Sequence, residues 1–134
     1  MMENSTLTGR CMCGGVSYTV EPPLRPVFNC HCHRCRRFSG HHVAATAVAP
    51  SRLCFQADQS LSWYEAAPGV TYGFCRRCGS SLFFRTDVTG DRISVMAGTL
   101  DQPTGLTTTE AWWVTEAADY HHRTPGLIEH ATDG

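Results

Sequence analysis

The sequence predicts a mainly β fold of short strands clasped by metal. Three observations point there: apolar or alternating runs are broken every eight to twelve residues by Gly, Pro, Asp or Ser, helical periodicity is nearly absent, and seven of the eight cysteines fall in three tight clusters. At 134 residues, 42% hydrophobic and 17% charged, the chain has the size and composition of one folded domain. That domain is expected to span residues 1–134 with its core at about 9–121.

Alternating runs predict strands at Gly15 to Val20, Ser60 to Tyr64, Val70 to Cys75 and Ile93 to Ala97. Apolar runs predict strands at Pro26 to Cys30, Val43 to Ala49, Ser81 to Arg85 and Glu110 to Val114. Only Arg34 to Phe38 is suited to a helical turn, which Ser39-Gly40 ends. Pro22-Pro23, Pro68-Gly69 and Thr89-Gly90-Asp91 are turn chemistry. The tail from Thr124 to Gly134 is short and poor in large apolar residues, so loose order is expected there. No internal repeat, low-complexity segment or linker interrupts the pattern.

The polar start, Met1 to Arg10, lacks the basic and apolar regions of a signal peptide, and no run approaches a membrane span. A cytoplasmic address with no membrane contact is therefore expected. In such a reducing compartment, eight cysteines read as metal ligands rather than as a disulfide scaffold. The formal charge of −1 counts thiols as neutral; seven thiolates against two zinc ions bring it to about −4. All eleven basic residues are arginine, and Arg34, Arg36, Arg37, Arg76 and Arg77 sit beside cysteines, where they offset thiolate charge or face solvent. A negative total argues against a broad nucleic-acid footprint, which needs clustered positive charge to displace counterions.

Tetrahedral zinc takes four ligands, and C-x-C or C-x-x-C spacing delivers two thiolates from one turn of backbone. Cys11 with Cys13 and Cys75 with Cys78 thus form a closed, structural set joining the first strand to a distant hairpin. Gly14 and Gly79 directly follow the pairs, where the amides must turn toward sulfur. Cys30, Cys32 and Cys35 supply three thiolates, and three protein ligands with an exchangeable fourth position characterise catalytic zinc. Two alternatives stay open: His31 or His33 completes the tetrahedron, or Cys32 and Cys35 form a redox pair. In an extended segment Cys30 and Cys32 share a face and the histidines point away, and no βαβ pattern surrounds the C-x-x-C.

Three thiolates make zinc a mediocre Lewis acid for water and suit it to sulfur chemistry, in which a substrate thiol would be held as thiolate to attack or leave a carbonyl carbon. Ser39, His33, His41 and His42 are candidates for proton transfer, and Arg36 and Arg37 for clamping carboxylates of an acidic thiol. Cys54, beside Phe55, is expected in the core. Trp63, Trp112 and Trp113 are expected as core or rim aromatics, with a cleft role open to one of them.

These clusters and their neighbours resemble the glutathione-dependent formaldehyde-activating enzyme family, which includes centromere protein V. The resemblance is carried by Gly9-Arg10-Cys11-Met12-Cys13-Gly14-Gly15-Val16, by Asn29-Cys30-His31-Cys32-His33-Arg34-Cys35-Arg36-Arg37 with Ser39-Gly40, by Gly73-Phe74-Cys75-Arg76-Arg77-Cys78-Gly79-Ser80, and by Ile93-Ser94-Val95 through Gly98-Thr99-Leu100-Asp101. It implies a β-tent fold of short antiparallel sheets, shared with methionine sulfoxide reductase B, and two zincs. One is structural at Cys11, Cys13, Cys75 and Cys78; the other is catalytic at Cys30, Cys32 and Cys35. It also implies carbon–sulfur lyase activity of the S-hydroxymethylglutathione synthase type, joining or cleaving glutathione and formaldehyde. The competing expectations are a non-catalytic zinc-stabilised β scaffold for a protein partner and a nucleic-acid zinc ribbon.

Overall fold

The computed structural model describes residues 5–86 and 90–134. Its strands are β1 (Leu7–Arg10), β2 (Ser17–Val20), β3 (Val27–Cys30), β4 (Val43–Val48), β5 (Leu53–Ala57), β6 (Leu61–Ala67), β7 (Val70–Cys75), β8 (Ser81–Thr86), β9 (Ile93–Met96), β10 (Thr108–Trp112) and β11 (Ile128–Glu129), with one α-helix, α1 (His33–Ser39). Among the described residues the strands form a small sheet, β1-β2-β5, and a large one, β11-β10-β3-β4-β9-β8-β7-β6.

Alternation explains the small sheet. Leu7 on β1 and Tyr18 and Val20 on β2 are buried, while Thr8 and Arg10 face solvent. The large sheet is buried on both faces, so its central strands lose alternation; all four residues of β9 are buried. Phe83 and Val95 join a cluster with Tyr18, Val20 and Leu82, whereas their neighbours Phe84 and Met96 join another with Phe28, Tyr72 and Trp112. The first cluster contains Cys11 and Cys75, the second Cys30 and Cys35, so each cysteine group borders its own core.

The structure departs from the sequence expectations at several points. The sheets are not wholly antiparallel: β10 runs parallel to both β3 and β11. The tail is ordered, because β11 pairs with β10 and the amides of His130 and Trp113 donate to Ala111 O and Thr132 O. Cys54 is exposed, because Phe55 takes the inward position on β5 and strand neighbours point to opposite faces. The tryptophans, by contrast, agree with the expectation of core or rim aromatics: Trp63 is a rim residue, 43% exposed and stacked on Phe83, and Trp112 is buried. Thr89 of the anticipated turn lies outside the described residues; Gly90 beside it has φ +66°.

Candidate metal centres

Cys11 and Cys13 follow β1, and Cys75 and Cys78 bracket the turn between β7 and β8; their four sulfurs lie within 4.8 Å of one another. The Cys11–Cys13 and Cys13–Cys75 Sγ separations are both 3.7 Å. Zinc–sulfur bonds of about 2.3 Å put the edge of a tetrahedron at about 3.8 Å, so both of these separations match a zinc site. The backbone is shaped for it. Gly14 and Gly79 adopt φ of +80° and +81°, a left-handed conformation that costs a side-chain residue steric strain. The amides of Val16, Gly15 and Cys78 donate to the sulfurs of Cys11, Cys13 and Cys75 at 3.3, 3.4 and 3.5 Å. Behind the site a Cβ at Gly15 would overlap Ser60 Oγ, and that hydroxyl lies 3.2 Å from Cys75 Sγ. The Ser80 hydroxyl, 3.2 Å from Cys78 Sγ, lowers that thiol to about 5, readying it as a thiolate ligand.

The sulfurs of Cys30, Cys32 and Cys35 form a second group within 4.8 Å. Cys30 ends β3, and Cys32 caps α1, accepting the amide of Cys35 at 3.4 Å and so bringing Cys35 round within one turn. Hydrogen bonds from the side chains of Cys30 and Cys35 lower Cys32 to about 2, whereas the same contacts, from Cys32 and Cys35, raise Cys30. Three packed thiols thus resist ionising together, and a dication would let all three ionise. Tyr72 Oη stands 3.5 Å from Cys35 Sγ; burial raises the phenol well above its usual range, so its proton stays in place.

His31 and His33 do not join the three sulfurs. His31 is buried and turns to the imidazoles of His42 and His121, at centroid distances of 4.8 and 6.1 Å. His33 is tied to Glu116, which accepts its amide at 2.7 Å and lies 3.1 Å from its Nδ1. The cysteines instead border a cavity of about 210 Å³ walled by Val70, Tyr72, Phe84, Trp112 and Trp113, with His33, Arg34 and Glu116 at its side. His33, Arg34 and Tyr72 also line a wider groove of about 780 Å³ that includes Arg37 and Tyr64.

Of the arginines considered as carboxylate clamps, Arg37 lines this groove, whereas Arg36 does not and its Nε is buried without a hydrogen-bond partner among the described residues. Ser39 Oγ is spent on Cys35 O at 2.8 Å, and His41 and His42 line neither hollow.

Tyr72 and Glu116 are site residues that sequence reasoning missed; they lie 37 and 83 positions from Cys35 and His33 and belong to no motif. Trp113 carries a local signal visible only in three dimensions. It is left-handed at φ 58°, strained for a bulky residue, and its amide and Nε1 donate to Thr132 O and Asp133 Oδ1 at 3.0 and 2.7 Å. The ordered tail thus holds its indole at the cavity.

The sequence profile of the glutathione-dependent formaldehyde-activating enzyme family matches residues 6–116. The chain belongs to that family, which includes centromere protein V. No curated protein matches it. Among solved structures, a Rhodobacter sphaeroides protein superposes with a TM-score of 0.63 at 24% identity, covering 76% of this chain and 99% of that one, a likeness of fold. Family membership and the clustered cysteines are consistent with metal-dependent chemistry of this family's kind. Among the described residues no helix is long and apolar enough to cross a membrane.

Proposed function

We propose that this chain is a zinc-dependent carbon–sulfur lyase of the glutathione-dependent formaldehyde-activating type, with a β-tent fold, a structural zinc at Cys11, Cys13, Cys75 and Cys78, and a catalytic zinc at Cys30, Cys32 and Cys35. The observation that carries the reading is the three-sulfur group beside the cavity, with no fourth protein donor in the group among the described residues. Zinc held there would supply the Lewis acidity that keeps a substrate sulfur deprotonated at neutral pH.

The residues around it suit the rest of the reaction. Trp112, Trp113, Val70 and Phe84 wall one side of a space of about 210 Å³, enough for a small aldehyde beside a thiol. In the adding direction the sulfur electron pair forms the C–S bond, the carbonyl π pair moves to oxygen, and that oxygen takes a proton. Tyr72, protonated and 3.5 Å from Cys35 Sγ, is placed to donate a hydrogen bond to the developing oxyanion; His33, paired with Glu116, is the candidate carrier of the proton. The remainder of an acidic thiol such as glutathione fits the adjoining groove, where Arg34 and Arg37 offer forked donors to carboxylates.

The test is adduct formation from glutathione and formaldehyde, followed by NMR against the protein-free rate, with the zinc content of the same sample measured. Acceleration that disappears in Cys32→Ser supports the reading. An unchanged rate at full zinc occupancy refutes it.

A further inference from the structure

We propose that His41, His42 and His121 form a third metal site, taking a borderline-soft divalent ion that binds imidazole nitrogen, such as zinc. The three residues offer ring nitrogens that all lie within 4.8 Å of one another. His41 and His42 sit between α1 and β4, and His121 comes from the turn that follows Val114–Glu116, so the trio joins segments about 80 residues apart. The rings are packed, with centroids 4.3 Å apart for His41–His42, 4.6 Å for His41–His121 and 5.3 Å for His42–His121.

Two observations separate this trio from an ordinary stack of imidazoles. His42 Nδ1 is buried and has no hydrogen-bond partner among the described residues, a desolvated nitrogen that a coordinated ion would satisfy. His41 Nδ1 lies 2.7 Å from Tyr120 Oη, and a ring whose Nδ1 is held by an outer partner presents Nε2 as the ligand. Imidazole nitrogens suit zinc, nickel or copper and not the oxygen-seeking magnesium or calcium, and no carboxylate belongs to the group. Zinc–nitrogen bonds of 2.0–2.1 Å put tetrahedral nitrogens about 3.3 Å apart, so the trio must draw in by no more than about 1.5 Å. His121, half-buried on a turn, can supply that movement.

Three imidazoles leave a fourth position for water, and the buried ring of His31 closes one side of the trio against His42 and His121. None of the three histidines lines the thiol cavity. The inference is therefore independent of the proposed activity, and either can fail alone.

The test titrates zinc chloride into protein whose cysteine centres are already filled, in a weakly chelating buffer, with binding read by calorimetry and histidine ring signals by long-range ¹H–¹⁵N NMR. One further equivalent is expected, perturbing His41, His42 and His121 and leaving the exposed His122 unmoved; magnesium chloride should do nothing. His121→Gln should weaken this step at least tenfold, as should His41→Gln, a second variant in case the first disturbs the turn, while His122→Gln should not. No further equivalent, or one that survives both substitutions at full affinity, or one that perturbs other histidines instead, overturns the proposal.

Discussion

Replacing one sulfur in each cysteine group by oxygen separates the two proposed roles. In Cys75→Ser the change falls on a buried residue that joins segments 62 positions apart through its 3.7 Å contact with Cys13. Zinc binding in small domains is worth roughly 10–16 kcal/mol, so one of four thiolates carries about 2.5–4 kcal/mol. Unfolding entropy of about 2.1 cal/mol/K per residue converts each kcal/mol into about 3.6 °C for this length, giving a fall in Tm of about 9–14 °C. Cys32→Ser should do much less, for two reasons found in the structure. Serine keeps the N-cap that Cys32 provides to the Cys35 amide, three residues on. The open group also closes only a short local loop, which an unfolded chain can close around metal too. Loop entropy scales as (3/2)RT ln n, so spans of 62 and 3 residues differ by about 2.7 kcal/mol. We expect Cys32→Ser to lose less than about 4 °C while losing one zinc and the adduct-forming activity. Calorimetric Tm, metal content and NMR-followed turnover on both variants decide it. Equal falls in Tm, or full turnover by Cys32→Ser, would refute the division between closing and reacting sulfurs.

Gly79→Ala should cost about 1–2 kcal/mol, because φ is +81° although a Cβ there meets nothing within 4 Å; Gly98→Ala, with the same open space and no positive φ, should be neutral or slightly stabilising, as urea unfolding of the pair will show. Tyr72→Phe keeps the packing against Phe38 and Phe84 and removes only the hydroxyl beside Cys35, so adduct formation should slow roughly ten- to a hundredfold with little change in Tm. Glu110 is lowered by the Trp112 indole first and by Arg25 and His130, so its stabilisation is present above the ordinary carboxylate pKa and fades as pH falls through the lowered value. Acidification should therefore narrow the stability gap between wild type and Glu110→Gln; zinc release is common to both and cancels, and a gap that widens would contradict the sign.

What was readable in the sequence followed from periodicity and spacing. Val70–Cys75 has the anticipated strand bounds, and the C-x-C and C-x-x-C pairs are juxtaposed because each pair is local and the strands joining them are regular. What was not readable depended on distant partners. β1 has no strand signature, because Leu7-Thr8-Gly9-Arg10 has one large apolar residue, and the space left by Gly9 is filled by the Tyr18 ring from β2. The order of the tail is invisible to composition because it comes from main-chain bonds to Ala111 and Trp113 and from Asp133 on the Trp113 indole, none of which depends on apolar content. His41 and His42 stood out beside the cysteine cluster, but their tertiary neighbour His121 turns them away from it.

The two cysteine groups begin alike, each with a C-x-C leaving the end of a strand, and differ in what arrives opposite. After β1 the chain meets the β7–β8 turn, whose left-handed Gly79 donates its amide to Cys75 O at 2.7 Å and brings Cys78 round as the fourth sulfur. After β3 the chain passes directly into α1, and a single helical turn can return only one more sulfur, Cys35. The place where a second turn would stand is taken by the side chains of Val70, Tyr72, Phe84 and Trp113, which cannot ligate zinc strongly and leave a hollow. Openness at this centre is thus a property of topology, a strand followed by a helix instead of a strand facing a hairpin. Filling the hollow with a donor, as in Val70→Cys, should convert the proposed reactive centre into a closed one: tighter zinc, raised Tm and no adduct formation, measured by chelator competition, calorimetry and NMR. A Val70→Cys protein that binds zinc more tightly yet still turns over would show that the fourth position is not where the thiol enters.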